Sequence, residues 1–377
     1  MKKSKTILQI MISGYYGFKN IGDEAILASM VKNIKTKIPK AEIIVLTQNP
    51  LETSSNFQVK TINRMHWVEI LKCFVHTDIF ISGGGGLLQD STGRGWSIFY
   101  YLVLILVAKI YRIPVMIYAQ GIGPVNRKFN KMLIKWILNK IDLITVRDKQ
   151  SKELLKKLEV KNSLVHINAD PSFLLEKKNI DAVLVNIPRL KKIIYGNNQP
   201  LVGISVRNYK ESSEGFKNKF ARIADNLIRE QKAKIIFIPF NAREDLSLSV
   251  EIMELMENKE QVYILKKQFK PEELLTLISK LSFMLGVRLH SIIFASMVNI
   301  PFVAFNYDPK VKYFVDSLDL SELVVELDKF SLIDFKKKVE YIEKNNARIK
   351  KLLADKIIFL KRKAHYNNDL LFELLKV

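Results

Sequence analysis

The sequence predicts an α/β fold of two Rossmann-like domains, each built on a parallel sheet, facing each other across a central cleft. Three observations predict it. Short apolar runs at 7–12, 43–46, 79–82, 115–118 and 143–146 alternate with longer stretches of helical period, the pattern of right-handed βαβ crossovers and a doubly wound sheet. The same alternation returns at 201–206, 234–239, 262–264, 283–286 and 302–305. Between the two series, 176–200 is mixed in period, rich in lysine and asparagine, and carries Pro188 and Pro200, as domain boundaries do. The expected divisions are 1–185, 186–335 and a lysine-rich helical segment at 336–377.

With 377 residues, 48% of them apolar, the chain has the material for two cores. The first run follows Lys2, Lys3 and Lys5, but Ser13 and Gly14 end it too early for a signal peptide, so it reads as a strand. The run 98–108 meets Lys109 and Arg112 before it can cross a bilayer and reads as a buried helix. A cytoplasmic protein is expected. Cys73 is the sole cysteine, which excludes an internal disulfide framework, and the five histidines lack ligand spacing, so no metal site is expected. The net charge of +22 asks for an anionic partner. Zinc-finger spacing, a basic arm and aromatic ribonucleoprotein-type motifs are all missing, which argues against nucleic acid. A phosphorylated small molecule together with an acidic membrane surface accounts for the charge.

The densest candidate site is Gly286-Val287-Arg288-Leu289-His290-Ser291, where an apolar strand meets a helix. Side chains there sit at the carboxyl end of a strand and at a helix N-terminus, where open α/β sheets bind anions. Arg288 offers a planar fork for carboxylate or phosphate, and His290 is the group best placed to exchange a proton near neutral pH. Arg207 ends the first strand of the second half, so topology places it near Arg288, and two converging arginines suit a ligand with two anionic groups. Lys310, one strand further on, is either a third positive charge or part of a surface turn. Arg147-Asp148 reads as an internal ion pair, and Glu244-Asp245 as acids engaged in internal ion pairing.

In the first half, Gly14-x-x-Gly17-x-x-Asn20-x-Gly22-Asp23-Glu24 follows the first strand and opens a helix. Its glycines allow close backbone approach, and two readings of its acids stand: contacts to sugar hydroxyls or base work, and helix capping. Gly83-Gly84-Gly85-Gly86, leading to Asp90, follows the third predicted strand, and Gln120-Gly121-Ile122-Gly123-Pro124 follows the fourth. Four consecutive glycines cost too much chain entropy for a casual loop, so a ligand or a neighbouring backbone approaches there.

Two Rossmann-like domains across a cleft resemble the GT-B glycosyltransferases, although the helix after His290 carries Ser291, Phe294 and Ser296 where many of those enzymes place acids. The ordered set of glycine loops, Asp170-Pro171-Ser172, Gly203-x-Ser205-x-Arg207 and Arg288-Leu289-His290-Ser291, over about residues 7–320, resembles the polysaccharide pyruvyl transferase family. Within it, the likeness is to the bacterial enzymes that pyruvylate N-acetylmannosamine in the secondary cell-wall polysaccharides on which S-layer proteins dock. The resemblance implies a GT-B-like fold, phosphoenolpyruvate as co-substrate, and neither metal nor cofactor. It implies that His290 is the acid/base group, with Arg288 acting beside it, and that Arg207, Arg288, Leu289, His290 and Lys310 bind the donor. Gly17, Asn20, Asp23, Gly84, Gly85, Asp90 and Gln120 would then face the saccharide acceptor. A lipid-diphosphate-linked acceptor would bring the chain to the inner face of the membrane. Two rivals stand: a nucleotide-sugar glycosyltransferase, and a non-catalytic binder of an anionic polymer.

Overall fold

The computed structural model describes residues 7–90, 97–161, 165–196, 199–208 and 214–377. Internal contacts divide the chain into two units, one of Met1–Leu175 with Leu360–Val377 and one of Glu176–Phe359.

In the first unit the strands are β1 (Gln9–Ser13), β2 (Glu42–Thr47), β3 (Lys60–Asn63), β4 (Ile79–Ser82), β5 (Val115–Gln120), β6 (Leu143–Val146) and β7 (Val165–Ile167). They pair in parallel in the order β3-β2-β1-β4-β5-β6-β7. The strand order reverses between β1 and β4, so the crevice of this sheet opens beyond Ser13 and Ser82. Helix α1 (Ile21–Lys37) covers one face together with the end of the chain: Leu370 and Leu371 are buried in the same cluster as Ile10, Ile26 and Tyr118. Helices α3 (Trp67–Phe74), α4 (Ser97–Ile110) and α5 (Lys128–Leu138) share the cluster on the other face. Between α1 and α3 lies α2 (Pro50–Phe57), and α6 (Lys149–Lys157) follows β6.

The second unit holds β8 (Leu201–Ser205), β9 (Lys234–Phe237), β10 (Val262–Ile264), β11 (Phe283–Gly286), β12 (Phe302–Asn306) and β13 (Val324–Glu326). They are parallel in the order β10-β9-β8-β11-β12-β13, with the reversal between β8 and β11. Its helices are α7 (Ile180–Leu184), α8 (Pro188–Tyr195), α9 (Glu214–Gln231), α10 (Asp245–Glu254), α11 (Pro271–Ile278), α12 (Leu289–Met297) and α13 (Pro309–Ser317), and α14 (Leu332–Leu375) continues into the first unit.

The division falls after Leu175, earlier than the expected 185/186, because Phe173 and Leu174 are buried in a short 3-10 helix that belongs to the first unit. The segment 336–377 does not stand apart: α14 bends at Asn345, and its last residues join the first unit. Amide hydrogen bonds fix that end, with Tyr118 Oη and Asn368 Oδ1 2.5 Å apart and Asn168 Nδ2 donating to Asn367 Oδ1 at 2.9 Å. Among the described residues no helix is long and apolar enough to cross a membrane.

Candidate functional site

In the second unit, Arg207 and Arg288 emerge from the two strands that flank the reversal. Gly286 pairs with Ser205 in register, so each arginine lies two residues past the same rung. Glycine is required at 286, since a Cβ there would lie 2.2 Å from Ile292 Cδ1 and 2.5 Å from Ser291 Oγ. That absence of a side chain lets α12 start directly over the strand end. Arg288 is the N-cap residue of α12 and no side chain caps the helix, which leaves its positive end facing the site. His290, half-buried, lies in the first turn, and Leu289 is buried beside it.

The structure brings Arg207, Arg288, Tyr307 and Lys310 together. Arg207 Nη1 donates to Tyr307 Oη at 2.6 Å and its guanidinium lies 4.7 Å from the ring centre. Lys310 Nζ is 5.4 Å from the same ring and pairs with Asp308 at 3.2 Å. Asp308 also caps α13 by accepting from Lys310 N at 3.1 Å.

Arg288 is not an open fork. Its Nε donates to both oxygens of Asp245 at 3.2 and 3.0 Å, and Nη2 donates to Asp245 Oδ1 at 2.6 Å and Glu244 Oε2 at 3.1 Å. Asp245 is fully buried and also accepts from the backbone N–H groups of Phe240 and Asn241. Burial disfavours charge on Arg288, but Asp245 and Glu244 outweigh it and hold the guanidinium more firmly protonated than usual. Glu244 and Asp245, read from sequence as engaged in internal ion pairing, are therefore the clasp of Arg288. Arg288 is paired with Glu244 and Asp245 and Lys310 with Asp308, while Arg207 donates to Tyr307, so an incoming dianion reaches Arg288 by displacing a carboxylate or by meeting its remaining N–H groups. Glu244, with its side chain 54% exposed, is the displaceable one. Glu244→Gln is expected to tighten the binding of a small dianion about threefold to tenfold, with unfolding free energy changed by less than about 0.5 kcal/mol; calorimetric titration and urea unfolding check both.

In the first unit the glycine loops are tied to one another. Gly121 N donates to Gly85 O at 2.9 Å, and Gln120 Nε2 donates to Ser82 Oγ and Gly83 O at 2.8 Å. The β5 register shifts between Ile117 and Gln120, where Ala119 adopts a φ of 47°, a bulge that re-aims Gln120. Gly85, at φ +90°, has Asp23 Oδ1 only 2.7 Å from where its Cβ would be. A carboxylate therefore lies against glycine backbone at the reversal of this sheet. Asn20 caps α1 by accepting from Gly22 N, and Asp90 binds the N–H groups of Asn126 and Arg127 and the Asn130 amide. Both side chains are occupied in holding loops. Gly17 N donates to Glu24 Oε1 at 2.8 Å, and Gly84 packs against Ile26. Arg147, read as paired with its neighbour, is bound chiefly to Asp170 at 2.9 Å, with Asp148 at 3.7 Å.

Two features were not visible in the sequence. Arg64, 9% exposed, lies over Tyr100 at 4.1 Å, with Phe18 at 5.1 Å and Tyr101 at 5.5 Å; its aromatic partners come from distant segments. Glu24 is buried, and burial pushes its pKa to about 7, against the pull of the Gly17 N–H. The folded state thus keeps a proton that the unfolded chain releases near pH 4.5. This contribution to stability is complete below that pH, declines as pH rises and is lost above about 7. Glu24→Gln is expected to flatten the loss of stability between pH 5 and 8, which amounts to about 2–3 kcal/mol by the linkage relation; urea unfolding across that range checks it.

The solved structures most like this fold include an S. aureus MnaA–UDP complex, 10% identical over 93% of this chain and 91% of that one, with a TM-score of 0.62. HepE of Anabaena, in complex with UDP-glucose, is 12% identical over 98% and 99% of the two chains, with a TM-score of 0.64. At such identity these likenesses establish the GT-B-like fold. The amylovoran biosynthesis protein AmsJ of Erwinia amylovora is 22% identical over 269 residues, 68% of this chain. The match spans 63% of the length of that relative. The family model described as polysaccharide pyruvyl transferase matches residues 20–309, from the helix cap at Asn20, just past β1, through the reversal between β8 and β11 to Pro309 at the start of α13. With that match covering most of the chain, and the glycine loops at 83–86 and 121–123 and the Arg288–His290 segment inside it, the protein belongs to the polysaccharide pyruvyl transferase family.

Proposed function

We propose that the protein transfers the enolpyruvyl unit of phosphoenolpyruvate to two hydroxyls of one sugar in a cell-wall polysaccharide or exopolysaccharide, giving a cyclic pyruvate ketal and phosphate. Family membership supports pyruvyl transfer in polysaccharide biosynthesis. The observation that supports the donor assignment is that Arg207 and Arg288 each lie two residues past the same rung at the reversal between β8 and β11, with His290 in the first turn of the helix whose uncapped N-terminus Arg288 begins. Phosphoenolpyruvate carries a carboxylate and a phosphate, which suit two guanidiniums and the positive end of a helix.

In this reading His290 delivers a proton to C3 of the enol, and C2 becomes electrophilic. One sugar hydroxyl adds to C2 and gives up its proton, the C2–O bond to phosphate breaks, and the second hydroxyl closes the ketal. One hydroxyl proton is balanced by the new methyl group and the other leaves with phosphate. Arg207 and Arg288 stabilise charge on the departing phosphate. Leu289 shields the site from water, and Lys310, paired with Asp308, adds positive charge at its edge. In the first unit, Asp23 and the backbones of Gly17, Gly84 and Gly85 face the acceptor, while Asn20, Asp90 and Gln120 hold those loops in shape. N-acetylmannosamine is the acceptor sugar to try first, and no cofactor is required.

The test supplies phosphoenolpyruvate with saccharides ending in N-acetylmannosamine, and separately with other hexoses, and follows phosphate release together with the ketal methyl signal by NMR. Phosphate and ketal in equal amounts are expected; hydrolysis without ketal, or no turnover with any acceptor, contradicts the proposal. In the same assay Arg207→Ala is expected to raise the KM for phosphoenolpyruvate about tenfold to hundredfold, the loss of one charge-assisted hydrogen-bonding group.

A further inference from the structure

The outer surface of α3, α4 and α5 exposes large apolar side chains among cations, outside either site described above. On α5, Phe129, Met132 and Trp136 are 55%, 56% and 48% exposed and lie at i, i+3 and i+7, one stripe of the helix. Lys128, Lys131 and Lys135 form the neighbouring stripe at the same spacing, and Lys140 places its ammonium 3.7 Å from the centre of the Trp136 ring. From Arg127 to Lys140 the sequence has five cations and no acid. Lys135 pairs with Glu159, and Arg127 lies beside Asp90, which accepts from its backbone N–H. The stripe continues onto α4, where Phe99 contacts Phe129 at 5.9 Å and Val103 and Ile110 are 42% and 69% exposed. It reaches α3 through the Trp67–Tyr100 contact, where Val68 is 67% exposed and Val75, just past the helix end, 62%. All three helices cover one face of the sheet from a shared core, against which Trp67, Phe99 and Tyr100 still pack, while Val68, Val75, Val103, Ile110, Phe129, Met132 and Trp136 lie outside it and are exposed. Glu69 is the one acid on α3.

We propose that this face is a membrane-docking surface for an acidic phospholipid bilayer. Aromatic and methionine side chains flanked by lysines fit the headgroup–acyl boundary, where apolar burial and attraction to anionic lipid act together. Charge complementarity favours this occupant over a second copy of the chain, because a twofold contact would set the same five cations against one another on a chain of net charge +22. The surface does not depend on which group the protein transfers.

The test is flotation of the full chain with phosphatidylglycerol/phosphatidylcholine vesicles and with pure phosphatidylcholine vesicles, at low and high salt, alongside sedimentation of the lipid-free protein. Binding to the acidic vesicles alone, weakened by salt, is expected. Lys128→Glu/Lys131→Glu should reduce it at least about tenfold, and Phe129→Ser/Met132→Ser/Trp136→Ser should reduce it similarly, with thermal unfolding of both variants unchanged. If the apolar variant does not fold, the lysine variant decides alone. No flotation with acidic vesicles, equal binding to neutral ones, unchanged binding in the variants, or a lipid-free dimer that they dissociate would each overturn the proposal.

Discussion

His290→Gln is expected to reduce turnover about hundredfold to ten-thousandfold, the usual range for a lost proton-transfer group, while phosphoenolpyruvate affinity stays within about threefold. The split between the two effects follows from the geometry. His290 lies in the first turn of α12 and is a partner in none of the hydrogen bonds that hold Arg207 to Tyr307 and Arg288 to Asp245 and Glu244, so its loss leaves those contacts and the helix N-terminus in place. Steady-state kinetics and donor titration on the same preparation measure both quantities. A variant with unchanged turnover would remove His290 from the proton transfer, and a variant that lost donor affinity in proportion to turnover would make it a binding group.

Asp245→Ala is expected to destabilise the second unit by about 3–5 kcal/mol, because it leaves the Arg288 charge buried without its main partner and strands two backbone N–H groups. Glu244→Gln, at the exposed end of the same clasp, should cost almost nothing. This contrast within one pair of neighbours is measured by urea unfolding, and comparable losses for the two would show that the clasp is not the source of the stability. The same geometry makes Arg288→Ala a poor probe of donor binding, since it strands Asp245; Arg207→Ala, whose partner is a tyrosine hydroxyl, is the cleaner variant.

The central strands of both sheets were legible because they are buried on both faces and read as short continuous apolar runs. The edge strands β3, β7 and β13 were not, since Lys60–Asn63, Val165–Ile167 and Val324–Glu326 are short and, Val325 apart, half-buried or exposed, with a weaker apolar signal. The nearness of Arg207 and Arg288 could be deduced from strand order alone. Their state could not: Asp245 reaches Arg288 across 43 residues, and no local spacing announces which carboxylate a buried guanidinium will meet. Asn20 and Asp90 carry residue types suited equally to sugars and to loop amides, and no local spacing announces that Asp90 accepts from Asn126, Arg127 and Asn130. The end of the chain gave no sign of its destination, because the pairing of Asn367 with Asn168 joins polar residues 199 positions apart.

Calorimetric titration of the protein with phosphoenolpyruvate, beside UDP and GDP, on the unaltered chain and on Arg207→Ala, tests the donor assignment most directly. Saturable binding of phosphoenolpyruvate alone, weakened at least about tenfold in the variant, is the predicted result. Binding of UDP or GDP in its place, or phosphoenolpyruvate binding indifferent to Arg207, would contradict it.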